Sequence, residues 1–134
     1  MEIVLVCLAL NIYWESRDQG IVGQLAVGQV VMNRVYDKRY PDTPCKVIRQ
    51  GPVHRSGHPV KNRCQFSWYC DGKADRVKDR RAYKQAYFLA KVITEGWYAD
   101  VTQGATHYHA IHVSPDWTKS KTLTVQIGNH LFYR

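Results

Sequence analysis

The sequence predicts an α+β domain that is mainly α, with three long helices and a small antiparallel sheet. Three observations carry this expectation. Two early runs, Ile3 to Leu10 and Ile21 to Val35, are apolar with helical spacing. A later segment, Asp75 to Glu95, sets Ala82, Ala86, Leu89 and Ile93 on one stripe and leaves its basic residues for solvent. From Val101 onward the texture changes to short polar and aromatic pieces bounded by Gly104, Pro115 and Gly128, the pattern of short strands. At 134 residues, 45% hydrophobic and 22% charged, without repeats or linkers, the chain reads as one domain over 1–134.

The first helix is predicted over Glu2 to Arg17. Its apolar stretch is too short to span a bilayer, which takes ~20 residues. It also follows Glu2 rather than a basic region, so it reads as a buried helix face and not as a secretion signal. Gln19-Gly20 breaks the pattern before helix two, Ile21 to Val35, whose apolar residues cover most of its circumference and make it central. Tyr40-Pro41 ends that region. A short helix is expected over Pro44 to Gln50, a loop over Gly51 to Arg63, and a stop for the third long helix at Gly96. His107 to His109, Leu123 to Ile127 and Leu131 to Tyr133 are the candidate strands. Of four cysteines, Cys7 sits in the apolar run as a buried thiol, leaving Cys45, Cys64 and Cys70 to hold one disulfide of unassigned pairing.

Nineteen Lys and Arg against eleven Asp and Glu give a formal net charge of +8, so acidic polymers or anionic surfaces are the natural partners. Nucleic acid, cell-wall polymer and anionic lipid all qualify. Among the acids, Glu15 stands apart, because it follows Tyr13 and Trp14 at the end of an apolar helix. Aromatic surroundings strip water from a carboxyl and favour its neutral form, which is what a general acid needs. The plain alternative is a solvated helix-terminal glutamate paired with Arg17 or capping the next helix.

The strings Ile12-Tyr13-Trp14-Glu15-Ser16-Arg17, Gly23-Gln24 with Ala26-Val27, and Val30 to Val35 resemble the opening of the spore-cortex-lytic (SleB-like) cell-wall hydrolases. The resemblance continues through Pro41, Val47-Ile48, Gln65-Phe66-Ser67, Gly104 to Tyr108 and Ile127-Gly128-Asn129-His130 with Phe132-Tyr133. It implies a lysozyme or lytic transglycosylase-like single domain that cleaves peptidoglycan glycan, with the glutamate of the Glu-x-Arg motif, here Glu15, as the single catalytic acid. Family members commonly carry Ala after that glutamate and Gly-Glu after the arginine, whereas this chain has Ser16 and Asp18-Gln19. Glu15-Ser16 is similar to the Glu-Ser pair of soluble lytic transglycosylases and goose-type lysozymes, so Ser16 joins the candidate substrate-binding residues.

Breaking a β-1,4 glycosidic bond takes a proton on the leaving oxygen and stabilisation of an oxocarbenium-like centre, ordinarily from two carboxylates. Only Glu15 has a fitting setting; Asp18, Asp71, Asp75, Asp100 and Asp116 read as turn or surface residues. One carboxyl suffices for transglycosylation, in which the sugar's own 6-hydroxyl closes a 1,6-anhydro ring, while a hydrolytic muramidase of the same site stays open with Asp18 or Asp100 as its base. Gln65, Phe66 and Ser67 offer a polar and aromatic wall for sugar rings, and Tyr108 is placed to orient Glu15 or an N-acetyl group. Asn33 and Arg34 read as structural, with Arg34 paired to a carboxylate or helix end near the cleft.

No cofactor is expected. His107, His109, His112 and His130 invite a zinc reading, but no zinc-hydrolase motif accompanies them and strand or turn roles are preferred. A basic nucleic-acid-binding module is the alternative from another class, since Lys61 to Lys91 holds nine basic residues, yet no helix-turn-helix, zinc-finger or RNA-recognition pattern is present. In size and in lacking an added wall-binding repeat the chain resembles a compact phage endolysin, with a bacterial wall-remodelling enzyme as the alternative. The expectation is a monomer with peptidoglycan, and an anionic outer-membrane surface, as partners and no nucleic acid. Without a signal peptide it would be made in the host cytoplasm and reach the wall in the periplasm after membrane disruption.

Overall fold

The computed structural model describes residues 2–134. The elements run α1 (Glu2–Ser16), α2 (Ile21–Val35), α3 (Pro44–Ile48), α4 (Arg80–Thr94), β1 (His107–Ala110), β2 (Leu123–Ile127) and β3 (His130–Tyr133), with 3-10 turns at Ser67–Cys70 and Asp116–Ser120. Helix α1 packs against α2, α3 and α4, which is why its sequence is apolar on every side. Leu8, Ala9, Ile12 and Tyr13 are fully enclosed. Burial of a side chain the size of Leu8 or Ile12 contributes about 1.5–3 kcal/mol. Helix α2 is buried continuously from Gly23 to Val31, and Gly28 lets three helices converge, because a Cβ there would lie 2.5 Å from Ile93 Cδ1 and 2.9 Å from Ile12 Cδ1.

The third long helix starts later than its apolar stripe implies, at Arg80 rather than Asp75. The reason is local hydrogen bonding. Asp79 has extended backbone and caps the helix by accepting from the Ala82 amide at 3.0 Å. The amides of Lys78 and Asp79 donate to the buried Tyr13 hydroxyl at 3.3 and 3.1 Å, holding residues 78–79 outside the helix. The stop at Gly96 is as expected. Gly96 has φ +73°, its amide donates to the Ile93 carbonyl and the Trp97 amide to the Val92 carbonyl, a Schellman closure. The end of α1 at Ser16 and of α3 at Ile48 each fall one or two residues short of expectation.

The three strands form an antiparallel sheet in the order β1-β3-β2. In β1 against β3, His107 faces Tyr133, Tyr108 faces Phe132 and Ala110 faces His130. The sheet packs on α2 through Phe132 and Ala105 against Ala26 and Val30. Among the described residues no helix is long and apolar enough to cross a membrane.

The cysteine expectation is corrected. Cys7 is not a free thiol: it is bonded to Cys45 at the start of α3, and Cys64 is bonded to Cys70, so two disulfides form where one was expected. Sequence spacing could not reveal that α3 docks on α1 and brings the Cys7 and Cys45 Cα atoms to 5.4 Å. The first bridge joins residues 38 apart and the second residues 6 apart. Loop-closure entropy then makes the first the stronger constraint on the unfolded chain. The paired replacement Cys7→Ser/Cys45→Ser should lower the unfolding free energy by up to about 4 kcal/mol, and Cys64→Ser/Cys70→Ser by up to about 2 kcal/mol, in urea titrations of oxidised protein.

Candidate active site

Glu15 lies in the last turn of α1, where the helix emerges from its neighbours and meets β1. The Tyr108 hydroxyl donates to Glu15 Oε1 at 2.5 Å. Tyr108 is held in turn against His130 and Phe132 of β3, with ring centroids 5.1 and 5.6 Å away. Burial raises the Glu15 pKa, opposed by the Tyr108 hydrogen bond and by the positive charge of Arg34. Burial and the neighbouring Glu15 charge push the Tyr108 phenol well above its ordinary range, so it stays a donor.

Two cavities share Glu15. One, of about 150 Å³, is walled by Arg34, Gln65, Phe66, His107, Tyr108 and Trp117. The other, of about 400 Å³, lies between Asp18, Gln19, His112, Asn129 and His130. The Gln19 Oε1 atom accepts from the Asn129 amide at 3.2 Å, tying the α1–α2 turn to the β2–β3 turn. Gly128 makes this approach possible: its φ is +55°, and a Cβ would stand 2.7 Å from Gln19 Oε1.

Arg34 in the last turn of α2 forms the floor on the smaller side. It is 5% exposed, and its Nε donates to the Thr106 carbonyl at 2.7 Å while the guanidinium lies over the rings of Tyr40 and Phe66. Its partner is thus a backbone carbonyl and not the carboxylate or helix end expected. Asn33 donates to Asp100 Oδ2, Thr102 Oγ1 and the Ala105 carbonyl at 2.8, 3.2 and 2.9 Å. Burial would raise the Asp100 carboxyl, but hydrogen bonds from Thr102, Asn33 and Gly104 hold it below its ordinary value. Asp100 is therefore a loop anchor, with its oxygens already engaged, and it lines neither cavity beside Glu15.

The structure brings Glu15, Gln65, Phe66 and Tyr108 together and leaves two sequence candidates out. Ser16 is fully buried and donates to the Ile12 carbonyl at 2.8 Å, an i−4 bond within its own helix, so it cannot face a ligand. Ser67 is exposed, but it begins the 3-10 turn and lines neither cavity. Trp117 and Asn129 are wall residues that residue chemistry alone did not single out, and His107 and His130, weighed for zinc and assigned strand or turn roles, also stand in the walls. Asn129-His130 sat in a quoted motif, whereas Trp117 carries no sequence signal, since the Asp116–Ser120 turn brings it to His107 only in space. Burial and the charges of Arg34, Lys121 and Arg39 push His107 down to about 4. His109 has both ring nitrogens engaged, by the Ala110 carbonyl and the Tyr133 hydroxyl. Among the described residues no three His, Cys, Asp or Glu stand close enough together to hold a metal ion.

Residues 18–133 match the family model described as Cell Wall Hydrolase. The chain belongs to that family of cell wall hydrolases. Glu15 lies just before the matched span. Among solved structures, the catalytic domain of the germination-specific lytic transglycosylase SleB from Bacillus anthracis is similar at 26% identity and a TM-score of 0.71, over 98% of this chain and 93% of that one. The catalytic domain of the Bacillus cereus SleB protein is similar in fold at 24% identity and a TM-score of 0.71, over 100% and 91%. No curated protein matches the chain. The SleB-like resemblance and the mainly helical α+β class read from the sequence agree with these likenesses.

The raised pKa of Glu15 makes a stability prediction. A carboxyl whose pKa is higher folded than unfolded binds more protons in the native state, so its contribution falls as pH rises from the unfolded value of 4.5 through the folded one. Glu15→Gln removes that loss and keeps an acceptor for Tyr108. The variant should melt above the parent at pH 7, and the difference should shrink toward zero by pH 4 in thermal scans.

Proposed function

We propose that this cell wall hydrolase cleaves the peptidoglycan glycan strand at the β-1,4 bond between MurNAc and GlcNAc, as a lytic transglycosylase with Glu15 as its single acid and base. The observation that carries the reading is the setting of Glu15. Its carboxyl is biased toward the protonated form, one oxygen is fixed by Tyr108, and cavities open on both flanks, as a site cutting within a chain requires.

In the first step Glu15 gives its proton to the glycosidic oxygen as the bond to C1 of MurNAc breaks, leaving an oxocarbenium-like sugar. The new carboxylate is stabilised by the Tyr108 hydroxyl and by the Arg34 charge. In the second step Glu15 takes the proton of the 6-hydroxyl as O6 bonds to C1, which closes the anhydro ring and restores the acid. The attacking group is tethered to the reacting sugar, so proximity replaces the binding and activation of a water. Gln65 and Phe66 wall the smaller cavity and are assigned to sugar contact.

One observation favours a hydrolytic muramidase as the second reading: Asp18 lines the larger cavity together with Glu15 and is a carboxylate that a water could sit against. Muropeptide mass spectrometry separates the two. Transglycosylation yields anhydro ends lighter by one water, and only reducing ends would establish hydrolysis. Glu15→Gln should fold and lose roughly a thousandfold or more in wall-lytic rate, because an amide is no acid. Retention of about a tenth of the activity would remove Glu15 from the role.

The setting we propose is that of a phage endolysin, monomeric and released to the wall once the membrane is breached. Two disulfides suit the oxidising space in which the wall lies, and the exposed cations Lys78, Arg81 and Lys84 suit approach to an anionic outer membrane. Cells making the protein should stay intact until they are permeabilised. Lysis of chloroform-treated cells should then weaken between physiological salt and 1 M, as the screening length falls from ~8 to ~3 Å.

A further inference from the structure

A cavity of about 500 Å³, larger than either beside Glu15, opens on the other flank of the α1 terminus. Its walls include the indoles of Trp14 and Trp68 and the cations Arg17, Lys73, Arg76 and Lys78, with Asp71 and Asp75 as its two carboxylates. The aromatic walls are rigid. Trp68 Nε1 donates to the buried Asn11 Oδ1 at 2.8 Å, and Trp14 stands edge-on to Tyr13 at 5.1 Å. Arg17 is also fixed, with Nη1 on the Tyr13 hydroxyl at 2.5 Å and its guanidinium over the Tyr13 and Trp14 rings at 4.7 and 5.2 Å. Among the described residues the only ion pairs are Arg39 with Asp37 and Lys46 with Asp42, so none of the four cations here is in direct contact with a carboxylate. Asp71 is partly occupied, accepting from the Lys73 amide at 2.9 Å.

We infer that this cavity binds the carboxylate-bearing peptide stem of the peptidoglycan strand whose sugars lie at Glu15. The inference rests on the glycan-cleaving reading above. Four unpaired cations around two indoles call for a ligand with several carboxylates and an aliphatic body, and a wall peptide stem has both. The geometry supplies the connection. Trp14 and Arg17 flank Glu15 in the same helical turn, and the segment carrying Gln65 and Phe66 at one cavity carries Trp68 and Lys73 at the other. A helix is ~10–12 Å across with its side chains. A stem of three to five residues reaches at most ~3.3–3.6 Å per residue, enough to pass from a muramoyl group at Glu15 around the helix end.

The test uses the full chain and its Lys73→Glu/Arg76→Glu variant, both positions exposed. Two readouts are needed: cleavage of stem-bearing glycan and of peptide-stripped glycan strands, and NMR titration of the indole N–H signals with the free tetrapeptide stem. The variant should lose about tenfold more in kcat/KM on stem-bearing glycan than on stripped strands, mainly through KM. The stem peptide should shift the Trp14 and Trp68 signals of the parent and not of the variant. Equal losses on both substrates, indole signals indifferent to the peptide, or shifts produced by lipopolysaccharide micelles but not by the peptide would each overturn the assignment. Failure of the glycan-cleaving reading is distinguishable, since the parent would then cut neither substrate while the titration still reports on the peptide.

Discussion

The hydrogen bond from Tyr108 to Glu15 joins the last turn of α1 to the sheet, and the placement of both ends dictates much of the remaining architecture. A carboxyl can be kept short of water only if the helix presenting it is enclosed almost to its end, and α1 is enclosed by α2, α3 and α4. The phenol can reach it only if β1 is held at a fixed height, which β3 does by pairing with it and by packing His130 edge-on and Phe132 tilted against the ring. The cost is an ionisable group in a setting that disfavours its charge. That bias toward the neutral form is the property a proton donor requires.

A second layer of polar contacts holds the strand from beneath. Arg34 grips the Thr106 carbonyl, and Asn33 gathers Asp100, Thr102 and Ala105 into one loop. Neighbouring residues of α2 thus fix the approach to β1 from two sides. Arg34 serves twice, because its charge also reaches Glu15 and His107. It tempers the carboxyl's reluctance to ionise and adds to the burial that keeps the imidazole neutral.

How much of this was legible in the sequence follows from how local each feature is. Helix periodicity, the Gly96 stop and the strand at Leu123 to Ile127 are set by near neighbours, and they appear where the pattern places them. The water-poor setting of Glu15 was legible because its apolar helix and aromatic neighbours are contiguous with it. The late start of α4 was not, since it depends on a tyrosine 65 residues away taking the Lys78 amide. The Cys7–Cys45 bridge, the seat of Trp117 and the carbonyl partner of Arg34 likewise depend on docking between distant segments. Ser16 shows the opposite hazard. It stands beside Glu15 in sequence, yet one step along a helix turns a side chain by about 100°, and its hydroxyl ends in the core.

The pairing of β1 with β3 has a consequence for which length changes the chain can absorb. Side chains alternate faces along a strand, so Tyr108 and its flanking histidines obey a parity rule. The frame is pinned at Thr106, whose amide donates to the Tyr133 carbonyl and whose own carbonyl accepts from Arg34. One residue gained or lost between Thr106 and Tyr108 would swing the phenol to the opposite face and leave Glu15 without its donor. Residues gained in the connection 112–121 lie beyond the last sheet bonds, from the Ile111 amide to the Asn129 carbonyl and between Thr122 and Arg134, and leave that parity untouched. Insertions and deletions are therefore sorted by what they do to that parity: those in the connection between β1 and β2 leave the face of Tyr108 unchanged, although they can displace the Trp117 wall, and those between Thr106 and Tyr108 reverse it.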